Sequence, residues 1–184
     1  PAVVVCPRSV VHNWASEARR FRPDLSVRVY EGQGRSLATL ADVTLMTYAI
    51  LRNDIEDIEK IEFASAILDE AQAIKNPDSQ SARAAYRIKA KSRFVMTGTP
   101  VENRLLDLWS LMRFSNPGLL GTRADFVERF ADPIGYGEGA GAATRLRKRV
   151  KPFLLRRTKG EVLPDLPPRT DSVMYAELEA HERD

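Results

Sequence analysis

The sequence predicts an α/β domain in which helices cover both faces of a parallel sheet. Short apolar runs alternate with helical patterns, and the first run is rich in β-branched valine, as buried strands are. Five strands are predicted, at Val3–Cys6, Val27–Tyr30, Val43–Thr47, Ala64–Leu68 and Arg93–Thr97. Because ligands of such sheets collect at the carboxyl ends of the strands, functional residues are expected just after a strand.

Helical patterns separate these strands. Ser9 is expected to cap a first helix that carries Val10, Trp14, Ala18 and Phe21 on one side. The other predicted helices are Asp54–Ile61, Ser79–Lys89 and Asn103–Phe114, each with apolar residues at helical spacing.

The pattern changes after Pro117. A short helix is predicted at Asp125–Phe130, and Pro133 is expected to break it. Four glycines then alternate between positions 135 and 141. No strand precedes them and no Lys-Ser or Lys-Thr follows, so the pattern predicts a flexible hinge or loop and not a phosphate-binding loop.

Composition and charge exclude several classes. No apolar run approaches the roughly 18 residues of a membrane span. The single cysteine, Cys6, has no internal disulfide partner, which favours a reducing, intracellular setting. The net charge of +3 alone does not indicate a nucleic-acid partner. Basic residues nevertheless cluster late in the chain, at Arg145, Arg147, Lys148, Arg149, Lys151, Arg156, Arg157 and Lys159. Either a phosphate-facing surface or a solvated helical face would have this pattern.

Two adjacent acids, Asp69 and Glu70, follow the predicted strand Ala64–Leu68 directly. Charge at the end of a buried strand is costly unless a cation or ligand needs it. One carboxylate could hold Mg²⁺ through water, while its neighbour orients or deprotonates an attacking water. An Asp-Glu pair also occurs by chance, so the pair alone does not decide the function.

A second polar turn, Thr97-Gly98-Thr99-Pro100, follows the last predicted strand. It would expose hydroxyl and backbone N–H groups at the same edge of the sheet as Asp69, where it could sense a metal–phosphate site. An ordinary strand-to-helix turn with a threonine cap would have the same residues.

Together these segments resemble one family, the Swi/Snf-type ATPases, which are helicase-like DNA translocases of superfamily 2. Asp69-Glu70-Ala71-Gln72 resembles motif II, and Thr97 to Asn103 resembles motif III. Cys6 to Trp14 resembles motif Ia, and Met46-Thr47-Tyr48 resembles motif Ib. Phe153 to Lys159 and Leu166 to Arg169 are similar to the basic segment and the connection that follow the first lobe. The ordered set is far more specific than any single tetrapeptide.

The resemblance implies a RecA-like sheet that lacks the phosphate-loop strand and carries a C-terminal helical extension. Residues 1–116 would form a truncated first RecA-like lobe, 117–151 a helical insertion with the Gly-rich loop, and 152–184 a basic segment and linker toward a second lobe. No Gly-Lys-Thr phosphate loop is present in the sequence. The chain is therefore expected to be a fragment that cannot hydrolyse ATP alone.

The resemblance also assigns roles. Asp69 would hold Mg²⁺, Glu70 would activate water, and Gln72 would couple the nucleotide to the DNA state. The coupling turn would consist of Thr97, Gly98, Thr99 and Asn103. The residues implied to contact the DNA backbone are Arg8, Ser9, Asn13, Thr47, Tyr48, Arg156, Arg157 and Lys159. Trp14 and Trp109 are interpreted as packing residues.

The implied parent protein is a Mg²⁺-ATP-dependent translocase on double-stranded DNA, acting on DNA-bound proteins or transcription complexes. An excess of Arg over Lys favours a prokaryotic cytoplasm or nucleoid; in a eukaryote the location would be the nucleus. Three other interpretations remain open. They are a non-enzymatic nucleic-acid-binding or protein-docking domain, a strand-separating helicase, and an unrelated two-carboxylate metal hydrolase.

Overall fold

The computed structural model describes residues 1–98, 104–137 and 139–157. The backbone divides into a compact unit, Pro1–Thr144, and a second unit that begins at Arg145. The predicted borders at residues 116 and 151 were assigned by resemblance and do not coincide with this division of the backbone. They remain predictions.

A parallel five-stranded sheet forms the centre of the first unit, within the described residues. Its strands are β1 (Ala2–Cys6), β2 (Val27–Val29), β3 (Val43–Thr47), β4 (Glu62–Leu68) and β5 (Lys89–Val95), in the order β2-β3-β1-β4-β5. In the central strand, Val5 pairs with Met46 of β3 and with Leu68 of β4. Because all pairings are parallel, the carboxyl ends of the strands meet at one edge.

Helices connect the strands and extend beyond them. They are α1 (Val11–Phe21), α2 (Tyr48–Asn53), α3 (Ile55–Ile58), α4 (Gln80–Arg87), α5 (Leu105–Ser115), α6 (Arg123–Phe126), α7 (Asp132–Gly135) and α8 (Ala140–Val150). Three 3₁₀ turns lie at Arg8–Val10, Ala71–Ile74 and Lys151–Phe153, and a π-helical turn lies at Val127–Ala131. Among the described residues, none of the helices has the length and apolar character needed to cross a bilayer.

Strand β1 is buried on both of its faces, which confirms the predicted layers. Val3 and Val5 belong to a large cluster that includes residues of α2 to α5. Val4 and Cys6 belong to a second cluster with Val11 and Ala15 of α1. Each fully buried aliphatic side chain of this kind contributes on the order of 1.5–3 kcal/mol. The burial of successive residues explains why this strand is a continuous apolar run.

Several predicted boundaries in the first hundred residues are wrong. Ser9 lies in a 3₁₀ turn and does not cap α1, whose N-cap is Val10 without a side-chain hydrogen bond. The predicted helix Asp54–Ile61 shortens to α3, and α2 before it was missed. Strand β5 covers Lys89–Val95, whereas Arg93–Thr97 was predicted. Its start was missed because its first residues are mostly polar and exposed and so have no apolar pattern.

The region after Pro117 is more helical than predicted. Thr122 and Asp125 form a capping box that starts α6, and the helical turns continue to Gly135. Pro133 is the second residue of α7, directly after the π-helical turn, and does not end the helix. The Gly-rich segment is not a simple loop either, since α8 begins at Ala140.

Candidate nucleotide site at the carboxyl edge of the sheet

The two acids lie beside the turn that follows β5. The backbone N–H of Asp69 donates to the carbonyl oxygen of Val5 at 2.8 Å, which extends the pairing of β4 with β1 by one residue. On the other side, the N–H of Met96 donates to Leu68 O at 2.8 Å, and the N–H of Ala71 donates to Met96 O at 3.0 Å. These bonds fix the Asp69–Glu70 backbone between the ends of β1 and β5.

Neutral donors hold the Asp69 side chain. Its Oδ2 accepts a hydrogen bond from Trp14 Nε1 at 2.8 Å, and its Oδ1 accepts one from the Glu70 N–H at 2.9 Å. Tyr48 Oη donates to the backbone carbonyl oxygen of Asp69 at 2.8 Å. Within the described part of the chain, no Lys or Arg forms an ion pair with Asp69 or Glu70. The described residues therefore orient this carboxylate through neutral donors.

The surroundings keep neighbouring groups protonated. Burial raises the pKa of the Cys6 thiol to about 11, and the charge of Asp69 adds to the shift. Burial also raises the pKa of Tyr48 above its ordinary value, again with a contribution from Asp69. Both groups are neutral at pH 7, so the Tyr48 hydroxyl remains a hydrogen-bond donor.

Glu70 has a left-handed backbone, with φ 48° and ψ 52°. It is the one non-glycine residue with positive φ among the described residues. This conformation costs roughly 1–2 kcal/mol and persists where the surroundings fix it. Here the Asp69 and Ala71 backbone bonds provide that constraint, and the chain turns from β4 into the 3₁₀ turn Ala71–Ile74.

Gln72 connects the second acid to the turn after β5. Its Nε2 donates to Glu70 Oε2 at 2.9 Å, and its Oε1 accepts from Thr97 Oγ1 at 3.2 Å. The structure thus brings Glu70, Gln72 and Thr97 into one hydrogen-bonded series. A displacement of the turn at Thr97 would therefore be transmitted to the Glu70 carboxylate through the Gln72 side chain.

Other predicted residues lie around this edge or outside it. Arg8, Ser9 and Asn13 are exposed, as is Gly98. The Thr47 hydroxyl caps α2 by accepting from Ile50 N at 3.2 Å. The remaining predicted residues, Thr99, Asn103 and Lys159, lie outside the described residues, and Arg156 and Arg157 are exposed in the second unit.

Two aromatic residues contribute more to the site than the sequence indicated. Tyr48 was predicted to contact DNA, but its side chain is 8% exposed and its hydroxyl binds Asp69. Trp14 was interpreted as packing, yet its indole N–H binds the Asp69 carboxylate. A half-buried indole N–H needs a hydrogen-bond acceptor, so a tryptophan on the apolar side of a helix was the sequence signal for a nearby polar partner. Trp109 does pack as predicted, and its N–H binds Gly121 O at 3.2 Å.

The residues present fit a magnesium ion held mainly through water. Among the described residues, no group of three or more His, Cys, Asp or Glu could enclose a metal. Mg²⁺ commonly uses one or two carboxylates and completes its octahedron with water and phosphate oxygens. The Asp69 carboxylate, with one donor on each oxygen, keeps lone pairs for such a hydrated ion.

The parallel sheet and its covering helices define an α/β protein of the RecA-like class, and the comparisons with known proteins specify the family. The sequence model of the SNF2-related domain matches residues 1–184. The chain belongs to this SNF2-related family.

Solved structures share the fold closely. The chain superposes on the Sulfolobus solfataricus SWI2/SNF2 ATPase core in complex with dsDNA with a TM-score of 0.82 and 42% identity, over 91% of this chain and 36% of that one. The Sulfolobus solfataricus SWI2/SNF2 ATPase core domain gives a TM-score of 0.76 with 41% identity, over 91% of this chain and 35% of that one. These likenesses confirm the predicted RecA-like fold class.

Curated relatives are much longer than this chain. The TATA-binding protein-associated factor MOT1 of Saccharomyces cerevisiae is 38% identical over 97% of this chain and 10% of its own length. The putative ATP-dependent helicase/translocase YwqA of Bacillus subtilis is 36% identical over 99% of this chain and 21% of its own length. The chain thus spans a small part of either relative.

Proposed function

We propose that this chain is part of the motor of a DNA-dependent ATPase that translocates on double-stranded DNA. The observation that carries the proposal is the acid pair Asp69–Glu70, which lies at the carboxyl edge of the sheet, is held there by neutral donors and is linked through Gln72 to Thr97. Family membership and the likeness to an ATPase core solved with dsDNA support the same function.

The two acids would divide the chemistry. Asp69 would hold Mg²⁺ through water, and the bound ion would offset charge on the phosphate oxygens of ATP. Glu70 would accept the proton of the attacking water. Because Gln72 binds Oε2, the lone pairs of Glu70 Oε1 remain for that water.

The series from Glu70 to Thr97 would couple hydrolysis to movement. Thr99 and Asn103, which lie outside the described residues, are proposed to continue this coupling turn together with Gly98. The exposed polar residues Arg8, Ser9 and Asn13 suit phosphate contacts, which position a protein on DNA without reading sequence. Thr47, at the end of β3 on the same edge, is proposed to join them.

The partners proposed for the parent protein are double-stranded DNA, a second RecA-like lobe and DNA-bound proteins. One relative, the TATA-binding protein-associated factor MOT1, supports the last of these. The proposed compartment is one that holds DNA, either a prokaryotic nucleoid or a nucleus.

ATP hydrolysis by the full-length protein tests the proposal. We expect dsDNA to stimulate hydrolysis, and an ATP-driven triplex-displacement assay to report movement without strand separation. The 184-residue chain alone should be inactive, because its sequence has no Gly-Lys-Ser or Gly-Lys-Thr to cradle the phosphates. DNA binding without ATP hydrolysis would indicate a binding module, strand separation a helicase, and ATP-independent phosphatase activity of the chain a metal hydrolase.

Charge reversal of Arg156 and Arg157 should weaken DNA binding by the full-length protein. Both side chains are exposed and belong to the basic cluster. If each contacts a phosphate, the double variant should flatten the slope of log K against log salt by about 2, since each contact contributes about 0.9. Binding titrations across a salt series measure this slope.

Charge reversal of Lys89 and Lys91 is the matched control, because both are exposed at the start of β5, the opposite end of the sheet from its carboxyl edge, and neither belongs to the basic cluster. It changes net charge equally and should leave the slope near the wild-type value. A double Arg variant that loses stability or coupling with an unchanged slope would place these arginines in a lobe interface instead.

A further inference from the structure

Trp14 joins α1 to the first acid of the site. Its Nε1 lies 2.8 Å from Asp69 Oδ2 although the two residues are 55 positions apart in sequence. The indole is half-buried and packs against the cluster formed by Val4, Cys6, Val11, Ala15 and Leu45. Packing therefore fixes the ring, and the ring in turn fixes the direction of its single N–H donor.

Trp14 supplies the one side-chain donor to the Asp69 carboxylate among the described residues. The other carboxylate donor is the backbone N–H of Glu70, which binds Oδ1. Without the indole N–H, one bond would remain and the carboxylate plane could turn about it. A carboxylate that holds an ion through water acts through the direction of its lone pairs, so a loss of orientation should weaken that contact.

We propose that Trp14 is a positioning residue that orients Asp69 toward a hydrated Mg²⁺. The inference rests on the proposed ATPase function and gives a role to a residue outside the acid pair and the coupling turn. Groups that orient metal-side ligands typically change metal affinity or activity about 10- to 100-fold when removed.

Helix α1 and the 3₁₀ turn before it carry residues proposed to face DNA. Asn13, adjacent to Trp14, is exposed on α1, and the exposed Arg8 and Ser9 lie in the 3₁₀ turn that leads into it. A shift of α1 on DNA would move the Trp14 N–H relative to Asp69. This connection is separate from the one that runs through Gln72 and Thr97.

Trp14→Phe in the full-length protein tests the role, with Trp109→Phe as the matched control. Each change removes one indole N–H bond, but the Trp109 bond reaches Gly121 O, away from the acids. For Trp14→Phe we expect a roughly 10- to 100-fold lower dsDNA-stimulated kcat, a higher Mg²⁺ concentration at half-maximal rate, and a nearly unchanged KM for ATP. Equal Mg²⁺ dependence in the two variants would overturn the proposal.

A spectroscopic test needs no turnover and no bound metal. The 184-residue chain has two tryptophans and so two indole N–H signals in a ¹⁵N-labelled sample. Asp69→Asn should shift the Trp14 signal, because a charged acceptor becomes neutral, and leave the Trp109 signal in place. A Trp14 signal that does not move would show that its N–H does not depend on Asp69, and would overturn the positioning role.

If Trp14→Phe fails to fold, 3-benzothienylalanine at position 14 keeps the ring shape and removes only the donor. The kinetic expectation is the same for that variant, and wild-type Mg²⁺ dependence in it would also overturn the proposal. The two proposals fail separately. A wild-type protein without dsDNA-stimulated ATP hydrolysis removes the function, whereas wild-type Mg²⁺ dependence of the Trp14 variants in an active protein removes only the positioning role.

Discussion

Glu70→Gln in the full-length protein is expected to reduce dsDNA-stimulated ATP hydrolysis by at least about 100-fold, the lower end of what a general base contributes. Glutamine has nearly the size of glutamate and can still accept the hydrogen bond from Gln72, but its amide cannot take the proton of the attacking water. ATP binding should therefore be largely kept. Steady-state turnover and equilibrium binding of a fluorescent ATP analogue measure the two effects.

Glu62→Gln is the control for this experiment. Glu62 is an exposed glutamate at the opposite end of the same strand, β4, so the substitution has the same chemistry far from the site. It should leave turnover and binding at wild-type values. Wild-type turnover in Glu70→Gln would remove Glu70 from the proposed role, and loss of ATP binding in that variant would show that the substitution disturbs more than proton transfer.

Gly139→Ala is expected to lower the free energy of unfolding by about 3 kcal/mol, the upper part of the usual range for overpacking. A Cβ at this position would lie 2.5 Å from Pro133 O and 2.6 Å from the N and Cα atoms of Ile134. These are backbone atoms, so no side-chain rotation can relieve the clash. The α7 turn would have to move away from the start of α8. Urea denaturation measures the change.

Gly135→Ala is the matched control, four residues earlier in the same Gly-rich segment. A Cβ there meets nothing within 4 Å, and its φ is not in the left-handed region. Since it lies in α7, alanine should be neutral or slightly stabilising. Equal stability of the two variants would contradict the close packing at Gly139 and return the segment to the flexible loop that the glycine pattern predicted.

The strands inside the sheet were predictable because most of their side chains are apolar and buried or half-buried. Val43–Thr47 was predicted with the observed bounds, and Ala64–Leu68 ends where β4 ends. The bounds of β5 were not predictable in this way because the strand begins with exposed Lys89 and Lys91. A polar strand start has no apolar signature, so the preceding helix was extended into it.

The acid pair of the site was predictable from local sequence, but the groups that orient it were not. Asp69 and Glu70 are conspicuous because charge directly follows an apolar strand. Trp14 and Tyr48 reach Asp69 only through the crossover order of the sheet, which places the ends of β1 and β3 near that of β4. Sequence periodicity assigns an aromatic residue to one face of a helix, but it does not identify the hydrogen-bond partner of the indole N–H or the phenol hydroxyl.

The left-handed backbone at Glu70 sets stability and chemistry against each other at a single position. Glycine would relax the local geometry, and a β-branched residue would aggravate it, whereas the proposed reaction needs a carboxylate there. A library selected for thermal stability should therefore accumulate substitutions at position 70 that abolish the proposed ATP hydrolysis. Screens for sturdier versions of this domain should hold position 70 constant.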